Sequence, residues 1–136
     1  MTQPVPYGFE PTELGSGFGR AFCSVWLNRP TCRMGFHVAE QHVNPVGGLH
    51  SGAMATPGDT QLMVFGAGAE KRASHCPTIS LSVDYPAPAA VAAEVEDRVT
   101  MVKQSHAMLS TQATMTVNAD PVTRSRAIYR SKDQGD

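Results

Sequence analysis

The chain has 136 residues, with 11 lysines and arginines against 12 aspartates and glutamates, and a formal net charge of -1. The length fits one domain with a single core, and the balanced charge gives no electrostatic reason to expect a nucleic acid or an acidic membrane surface as partner. Because the N-terminus lacks a signal-peptide pattern and no stretch approaches the roughly 20 apolar residues of a membrane span, we expect a soluble cytoplasmic protein.

The first 19 residues predict a flexible N-terminal arm, since they hold three prolines and four glycines with little apolar periodicity. We interpret their GSGFG stretch, residues 15–19, as an entry loop rather than a dinucleotide-binding loop, because no strand precedes it. Two strands are predicted next, AFCSVWLN over 21–28 and RMGFHVAEQHV over 33–43, with a turn at Pro30 between them.

A helix and a strand are predicted in the middle of the chain. Residues 60–69, TQLMVFGAGA, carry no charged side chain and do not alternate, which predicts a helix that is apolar on almost every side and must be enclosed. Two cations in the following Glu70, Lys71 and Arg72 suit the negative end of that helix. TISLSVDY over 78–85 alternates cleanly and predicts a strand. One face of this strand carries Ile79, Leu81, Val83 and Tyr85.

Three further strands are predicted in the C-terminal part of the chain. EVEDRVTMVKQ over 94–104 and AMLSTQATMTVN over 107–118 predict a hairpin around Ser105 and His106, and PVTRSRAIYR over 121–130 predicts the last strand. Short connections favour antiparallel pairing. The sequence therefore predicts an α+β domain in which one antiparallel sheet wraps around one helix.

The stretch HSGAMATPGDT, residues 50–60, leaves two helix starts open. In the first, Thr56 is the N-cap, Pro57 is the first helical residue and Asp59 completes a capping box. In the second, the helix begins near His50 and Ser51, and Pro57 lies inside it at a cost of ~3 kcal/mol. Local rules favour the start at Thr56.

The residues on both sides of that start are candidates for chemistry. HVNPVGGLH supplies Asn44 and two glycines, which is either an ordinary Asn-Pro turn or a loop that carries amides close to a ligand. At a helix N-terminus, the amides near Ser51 and Gly52 could hold an oxyanion. A helix through Asp59 would set its carboxylate along an apolar stripe with Leu62, where a charge is costly unless it has partners or a chemical role.

Cysteine and histidine spacing predicts neither a disulfide framework nor a metal site. Cys23, Cys32 and Cys76 are odd in number and widely spaced, which predicts buried free thiols. Among the five histidines, only His75 lies at a tight ligand spacing, beside Cys76. We expect no metal and no cofactor.

Three segments resemble a known family. HVNPVGGLHSGAMATPGDTQL resembles the N-x-x-G-x-x-H-G-G motif, with an aspartate eight residues after its first motif glycine, of the PaaI-type acyl-CoA thioesterases. PTISLSVDYPAPA resembles the strand after their helix, and VTMVKQSHAMLSTQATM their next hairpin. The resemblance covers about residues 20 to 130 and implies a hotdog fold, an antiparallel sheet wrapped around one long central helix. The implied domain is 20–131, followed by a polar tail over 132–136.

The resemblance also implies roles for individual residues. Asn44 would orient the thioester or the attacking water, and the amide of Ser51 would bind the thioester oxygen. Asp59 would be the nucleophile or general base, and Thr78 would position the water or the carboxylate. Substrate contacts are implied for His50, Gly52 and Met63.

Each site would be shared by two chains of a homodimer, with Asn44 and Ser51 from one and Asp59 and Thr78 from the other. A homotetramer built as a dimer of dimers is implied, and nucleic acid and membrane are not expected as partners. For Met63, Phe65 and Tyr85, core packing is favoured over a place in the acyl pocket.

The implied function is hydrolysis of a medium-chain or aryl acyl-CoA to the free acid and CoA. Two departures from the family pattern bear on it: Ser51 replaces a glycine, and Pro57 with Gly58 replaces good helix formers before Asp59. A bend there could shift the carboxylate by about an ångström, enough to lower the rate. The alternatives are a non-catalytic hotdog module that binds an acyl thioester or a hydrophobic ligand, and a purely structural assembly role.

Overall fold

The computed structural model describes residues 4–15, 17–65, 76–91 and 94–131. Within these ranges seven strands form one sheet in the order β1-β2-β3-β5-β6-β7-β4, and each pairing is antiparallel. The elements are β1 (Glu10–Thr12), α1 (Phe18–Phe22), β2 (Val25–Asn28), β3 (Arg33–His37), a 3-10 turn (Glu40–His42), α2 (Ser51–Asp59), a second 3-10 turn (Gln61–Val64), β4 (Thr78–Asp84), β5 (Glu94–Gln104), β6 (Met108–Val117) and β7 (Asp120–Arg130). This confirms the predicted antiparallel sheet around one main helix.

The C-terminal strands lie where the sequence predicts them, to within about a residue. At the β5–β6 turn, the Ser105 amide donates to the Met108 carbonyl at 2.9 Å. Between β6 and β7, Asn118 and Ala119 have φ of 52° and 69°, as a two-residue hairpin turn with positive φ at both positions requires. The alternation of apolar and polar residues was therefore enough to predict the position of each of these strands in the chain.

The N-terminal region differs from its prediction. Part of the arm predicted over residues 1 to 19 is regular structure, because β1 pairs with β2 and sets Pro11 opposite Trp26. The predicted strand over 21–28 starts late: Phe22 belongs to α1 and packs against Phe36, with 4.9 Å between ring centroids. Phe22 is the buried apolar residue of the short helix α1. In the sequence, its position before the apolar residues of β2 is also that expected of a strand residue. The predicted tail, 132–136, lies outside the described residues.

The main helix starts at Ser51, so the start at Thr56 favoured by local rules is wrong and the earlier start is confirmed. His50 is the N-cap, and its Nδ1 accepts from the Gly52 amide at 2.8 Å. Pro57 lies inside the helix, which ends two residues later at Asp59. A missing hydrogen bond this close to the helix end disturbs little of the helix.

The helix predicted over 60–69 is not formed as such. Gln61–Val64 is a 3-10 turn, and 66–69 lie outside the described residues together with the cations predicted to follow them. The prediction that this apolar segment is enclosed is confirmed for Leu62, Met63 and Val64, which are all buried.

The core lies between α2 and the inner face of the sheet. Its largest fully buried side chains include Phe36, Leu27 and Met34. At Gly58 an added Cβ would lie 3.3 Å from Cβ and Oγ of Ser125 on β7, which is tighter than ordinary van der Waals contact. Glycine at this position therefore lets α2 lie directly against the sheet.

The titratable side chains buried in the fold include those of Asp97 and His42. Asp97 on β5 is 2% exposed, its Oδ2 has no hydrogen-bond partner among the described residues, and burial raises the pKa of its carboxyl to about 7. His42 is 1% exposed, and burial lowers the pKa of its imidazole. Its Nδ1 accepts from the Ala39 amide at 2.9 Å, and its Nε2 lies 2.7 Å from the Phe22 carbonyl. A proton on Nε2 alone satisfies both contacts, so the folded state holds His42 neutral.

The three cysteines are free thiols, as predicted, but only Cys76 is buried; Cys23 and Cys32 are half-buried. Burial raises the pKa of the Cys23 thiol to about 11, which keeps it protonated and unreactive near neutral pH. No set of three or more histidine, cysteine, aspartate or glutamate side chains in the described ranges could hold a metal ion. None of the described helices has the length and apolarity needed to cross a membrane.

Candidate active site

Asn44 organises the turn that leads into α2. Its Oδ1 accepts hydrogen bonds from the backbone amides of Val46 and Gly48 at 3.0 and 2.8 Å. The backbone amide of Asn44 donates to the Gly48 carbonyl at 2.7 Å. Gly47, with φ of 88°, takes the left-handed conformation that this turn needs. The side-chain oxygen of Asn44 thus holds the turn, whereas its Nδ2 group donates no hydrogen bond within the described residues.

The first turn of α2 leaves the Ser51 amide unused within the described residues. The Gly52 amide donates to His50 Nδ1 at 2.8 Å, and the Met54 amide donates to the His50 carbonyl at 3.0 Å. The Ser51 amide donates no hydrogen bond to any described residue, and Ser51 is exposed. This amide lies at the positive end of the helix dipole, where it suits an oxygen that gains negative charge.

Asn44 and Ser51 line the same cleft, which has a volume of about 640 Å³. Its other walls include Leu49, Met54, Tyr85 and Pro88. The structure therefore brings together two of the four residues for which catalytic roles are implied, and surrounds them with apolar side chains.

Asp59 and Thr78 form the second pair. The Thr78 hydroxyl donates to Asp59 Oδ1 at 2.8 Å, and both residues are exposed. Asp59 is the last residue of α2, at the negative end of the helix dipole, where a carboxylate does not stabilise the helix. It lines a smaller cleft of about 280 Å³ with Leu14 and Leu81.

The expectation that the Asp59 carboxylate lies along a buried apolar stripe is wrong for the single chain. The side chain is exposed because the helix ends at Asp59, and Leu62 and Met63 turn into the core from a separate 3-10 turn. An exposed carboxylate keeps its hydration and carries no burial penalty.

The two pairs lie at opposite ends of α2. Eight residues separate Ser51 from Asp59, which corresponds to about 12 Å along a helix axis. Asn44 with Ser51 and Asp59 with Thr78 are therefore two separate pairs within one chain.

Strand β4 is tied to both ends of the helix. Thr78, its first residue, bonds to Asp59, and Tyr85, which follows its last residue, donates its hydroxyl to the Ser51 carbonyl at 2.8 Å. The start of β4 thus lies beside the end of α2, and the end of β4 beside the start of α2. Hydrogen bonds from both ends of the strand therefore reach both pairs of residues.

The residues with implied substrate contacts are placed differently. His50 and Gly52 line a third cleft, of about 390 Å³, with Phe18 and Phe22. Met63 is 5% exposed and packs in the hydrophobic core, as favoured for it from the sequence. The 3-10 turn after Asp59 directs its side chain inward instead of along a continuing helix.

Sequence reasoning missed Tyr85. Core packing is favoured for it by the alternation of 78–85, but Tyr85 is 41% exposed and lines the cleft of Asn44 and Ser51. A tyrosine at the end of an alternating strand, before PAP, is the signal that could have identified it, because its hydroxyl seeks a partner. Phe65, by contrast, is half-buried and packs against the core, as favoured.

Comparisons with known proteins support the fold. No protein-family model and no curated protein matches the sequence. In structure, the chain is similar to a mutant of the phenylacetic acid degradation protein PaaI from Thermus thermophilus, with 16% identity, 92% of this chain and 94% of that chain covered, and a TM-score of 0.64.

Two further solved structures are similar. A hypothetical thioesterase protein with coenzyme A from Streptococcus pneumoniae has 16% identity, covers 75% of this chain and 78% of its own, and has a TM-score of 0.62. Thioesterase superfamily member 2 of zebra fish has 20% identity, covers 74% of this chain and 73% of its own, and has a TM-score of 0.60. The chain thus has the hotdog fold implied by the sequence resemblance.

Proposed function

We propose that this chain is an acyl-CoA thioesterase that hydrolyses a medium-chain or aryl acyl-CoA to the free acid and CoA. The observation that carries the proposal is the Thr78 hydroxyl bonded to the Asp59 carboxylate, at the far end of a helix whose first amide is unused. Similar structures named as thioesterases, one of them with coenzyme A, support it, as does a similar protein of Bacillus halodurans with CoA in its name.

Hydrolysis of a thioester needs one hydrogen-bond donor for the carbonyl oxygen and one activated oxygen that attacks the carbonyl carbon. The Ser51 amide binds the thioester oxygen as it gains negative charge, and the Asn44 Nδ2 group orients the thioester or the water. Thr78 holds Oδ1 of Asp59, which leaves Oδ2 to take a proton from water or to attack the carbonyl itself. With Asp59 as the base, the hydroxide adds to the carbonyl carbon, the C–S bond breaks, and the thiolate takes up the proton that Asp59 had accepted. With Asp59 as the nucleophile, the C–S bond breaks as an acyl–Asp59 anhydride forms, and water hydrolyses this anhydride to the free acid, with one proton of that water going to the thiolate. These steps involve no metal.

A second copy of the chain completes each site. Strand β4 is a seven-residue edge of the sheet with Ile79 49% exposed, whereas the opposite edge, β1, has three residues. A long, partly apolar edge strand is suited to pairing with another strand.

Antiparallel pairing of β4 with its copy sets the start of one strand beside the end of the other. Asp59 and Thr78 of one chain then face Ser51 and Asn44 of the other, and a dimer holds two complete sites. A cytoplasmic location and a homotetramer built as a dimer of dimers are further parts of the proposal.

Ile79→Lys is expected to weaken this dimer by at least about tenfold in Kd, because a lysine in place of an exposed apolar side chain on an edge strand opposes pairing with another strand. Sedimentation at several concentrations measures the dimer, and specific activity should fall with it. Val102→Lys is the matched control, since Val102 on β5 is 57% exposed and lies away from this edge. A monomeric Ile79→Lys protein with the activity of the parent would rule out the shared site.

The experiment that tests the function is an assay of the purified chain against a panel of acyl-CoAs, with release of the thiol followed by a colour reagent. The proposal expects turnover of at least one medium-chain or aryl substrate. Tight binding of acyl-CoA without turnover across the panel would favour a non-catalytic module instead. The helix that runs through Pro57 and Gly58, with Asp59 still in contact with Thr78, supports catalysis over that alternative.

A further inference from the structure

Tyr85 touches the proposed site through a backbone group. It follows the last residue of β4, and its hydroxyl donates to the Ser51 carbonyl at 2.8 Å. The same ring lines the cleft of Asn44 and Ser51. The side chain therefore contacts the residue whose amide is proposed to bind the thioester oxygen.

The first turn of a helix has few restraints of its own, because its amides lack partners within the helix. In α2 the hydrogen bonds that restrain this turn include the His50 cap on Gly52, the bond of the Met54 amide to the His50 carbonyl and the bond of the Tyr85 hydroxyl to the Ser51 carbonyl. The cap acts on Gly52, whereas the hydroxyl acts on Ser51 itself. Burial raises the pKa of the Tyr85 hydroxyl, so the group stays protonated and remains a donor at neutral pH.

We propose that Tyr85 is a positioning residue for thioester hydrolysis: its hydroxyl fixes Ser51 so that the Ser51 amide points at the substrate oxygen. The inference rests on the proposed function. A purely packing role does not account for the hydroxyl, because the side chain is 41% exposed and a phenylalanine would fill the same space. A displacement of about 1 Å at a reacting group lowers rates by up to about 100-fold, so a loosened amide has a measurable effect.

Tyr85→Phe tests the inference, because it keeps the ring and removes the hydroxyl. We expect kcat for acyl-CoA hydrolysis to fall about tenfold with KM within about twofold, since the amide acts mainly on the transition state. Hydrogen exchange in a peptide covering residues 50–56 should become about two- to tenfold faster, as the loss of one hydrogen bond predicts. Tyr7→Phe is the control, since Tyr7 is fully exposed, and it should match the parent in both measurements.

The outcomes distinguish the positioning role of Tyr85 from the proposed thioesterase activity. A lower kcat with unchanged KM and faster exchange supports the positioning role. A Tyr85→Phe protein with the parent's kcat overturns the role while leaving the thioesterase proposal intact. A parent protein that hydrolyses no acyl-CoA in the panel overturns the proposed function, and the positioning role with it.

Discussion

Asp59→Asn is expected to lower kcat for acyl-CoA hydrolysis by about 10²–10⁴-fold, with KM within about twofold. In the parent, the Thr78 hydroxyl donates to Oδ1 of Asp59 at 2.8 Å. An asparagine at this position keeps an oxygen that can accept this hydrogen bond. The substitution therefore removes the charge and the basicity while the contact between helix and strand remains. Steady-state kinetics with the best substrate of the panel measures the effect.

Glu10→Gln is the matched control for this variant. Glu10 is also an exposed carboxylate, but it lies on β1, at the opposite edge of the sheet from β4, and pairs with Arg29 at 3.6 Å. Its loss is expected to change kcat by less than about twofold, because exposed ion pairs contribute little. An Asp59→Asn protein that turns over as fast as the parent would show that Asp59 is neither the nucleophile nor the base.

Asp97→Asn is expected to stabilise the protein by about 4 kcal/mol at pH 8 and to change its stability little at pH 4. Burial without a partner for Oδ2 raises the pKa of the Asp97 carboxyl to about 7, against 3.8 for the free group. Between these values the folded state binds more protons than the unfolded state. The parent's free energy of unfolding therefore loses this contribution as pH rises from about 4 to about 7, and the neutral amide removes the loss.

The contribution of His42 to the free energy of unfolding changes with pH in the opposite direction to that of Asp97 over part of the range between about pH 4 and 7. Burial lowers the pKa of its imidazole, so the unfolded state binds the extra proton and stability falls as pH drops below about 6.5. Comparison of the Asp97→Asn protein with the parent cancels this term, because both chains contain His42. Urea unfolding at a series of pH values and one protein concentration gives the difference. A difference that does not change between pH 4 and 8 would contradict the buried, protonated carboxyl.

The strands could be predicted from the sequence because alternation is a local property. β5, β6 and β7 each show it, and their short turns leave only antiparallel neighbours. The same alternation predicted the place of β4 but not its exposure. Core packing was favoured for Tyr85, although β4 is an edge strand whose apolar face is only partly covered within the chain: Leu81 packs against the core, whereas Ile79 is exposed.

The helix could not be placed by local rules because its start depends on distant contacts. The penalty for Pro57 is visible in the sequence, whereas the hydrogen bond of the His50 amide to the His42 carbonyl, at 2.7 Å, is not. The contact of Gly58 with Ser125 also joins residues far apart in the chain. The resemblance implied an oxyanion-binding role for the amide of Ser51, and that role fits the earlier start.

The burial of Asp97 is a second feature that the residue pattern of the sequence does not predict. In EVEDRVTMVKQ the charged residues suggest the solvent side, yet Asp97 lies in register with Met34 and Met115 on the inner face. A period of two places it there with Val95 and Val99. Its unsatisfied oxygen has no signal in the sequence.

The central claim is that thioester hydrolysis takes place at a site shared by two chains. Heterodimers of an Asp59→Asn chain and an Asn44→Asp chain, isolated by two different affinity tags after co-expression, test it most directly. Asn44→Asp keeps the oxygen that holds the turn before α2 and removes the Nδ2 group. Each homodimer should be nearly inactive, and the heterodimer should recover about half of the parent's activity, because one of its two sites is complete. A heterodimer no more active than either homodimer would contradict the claim.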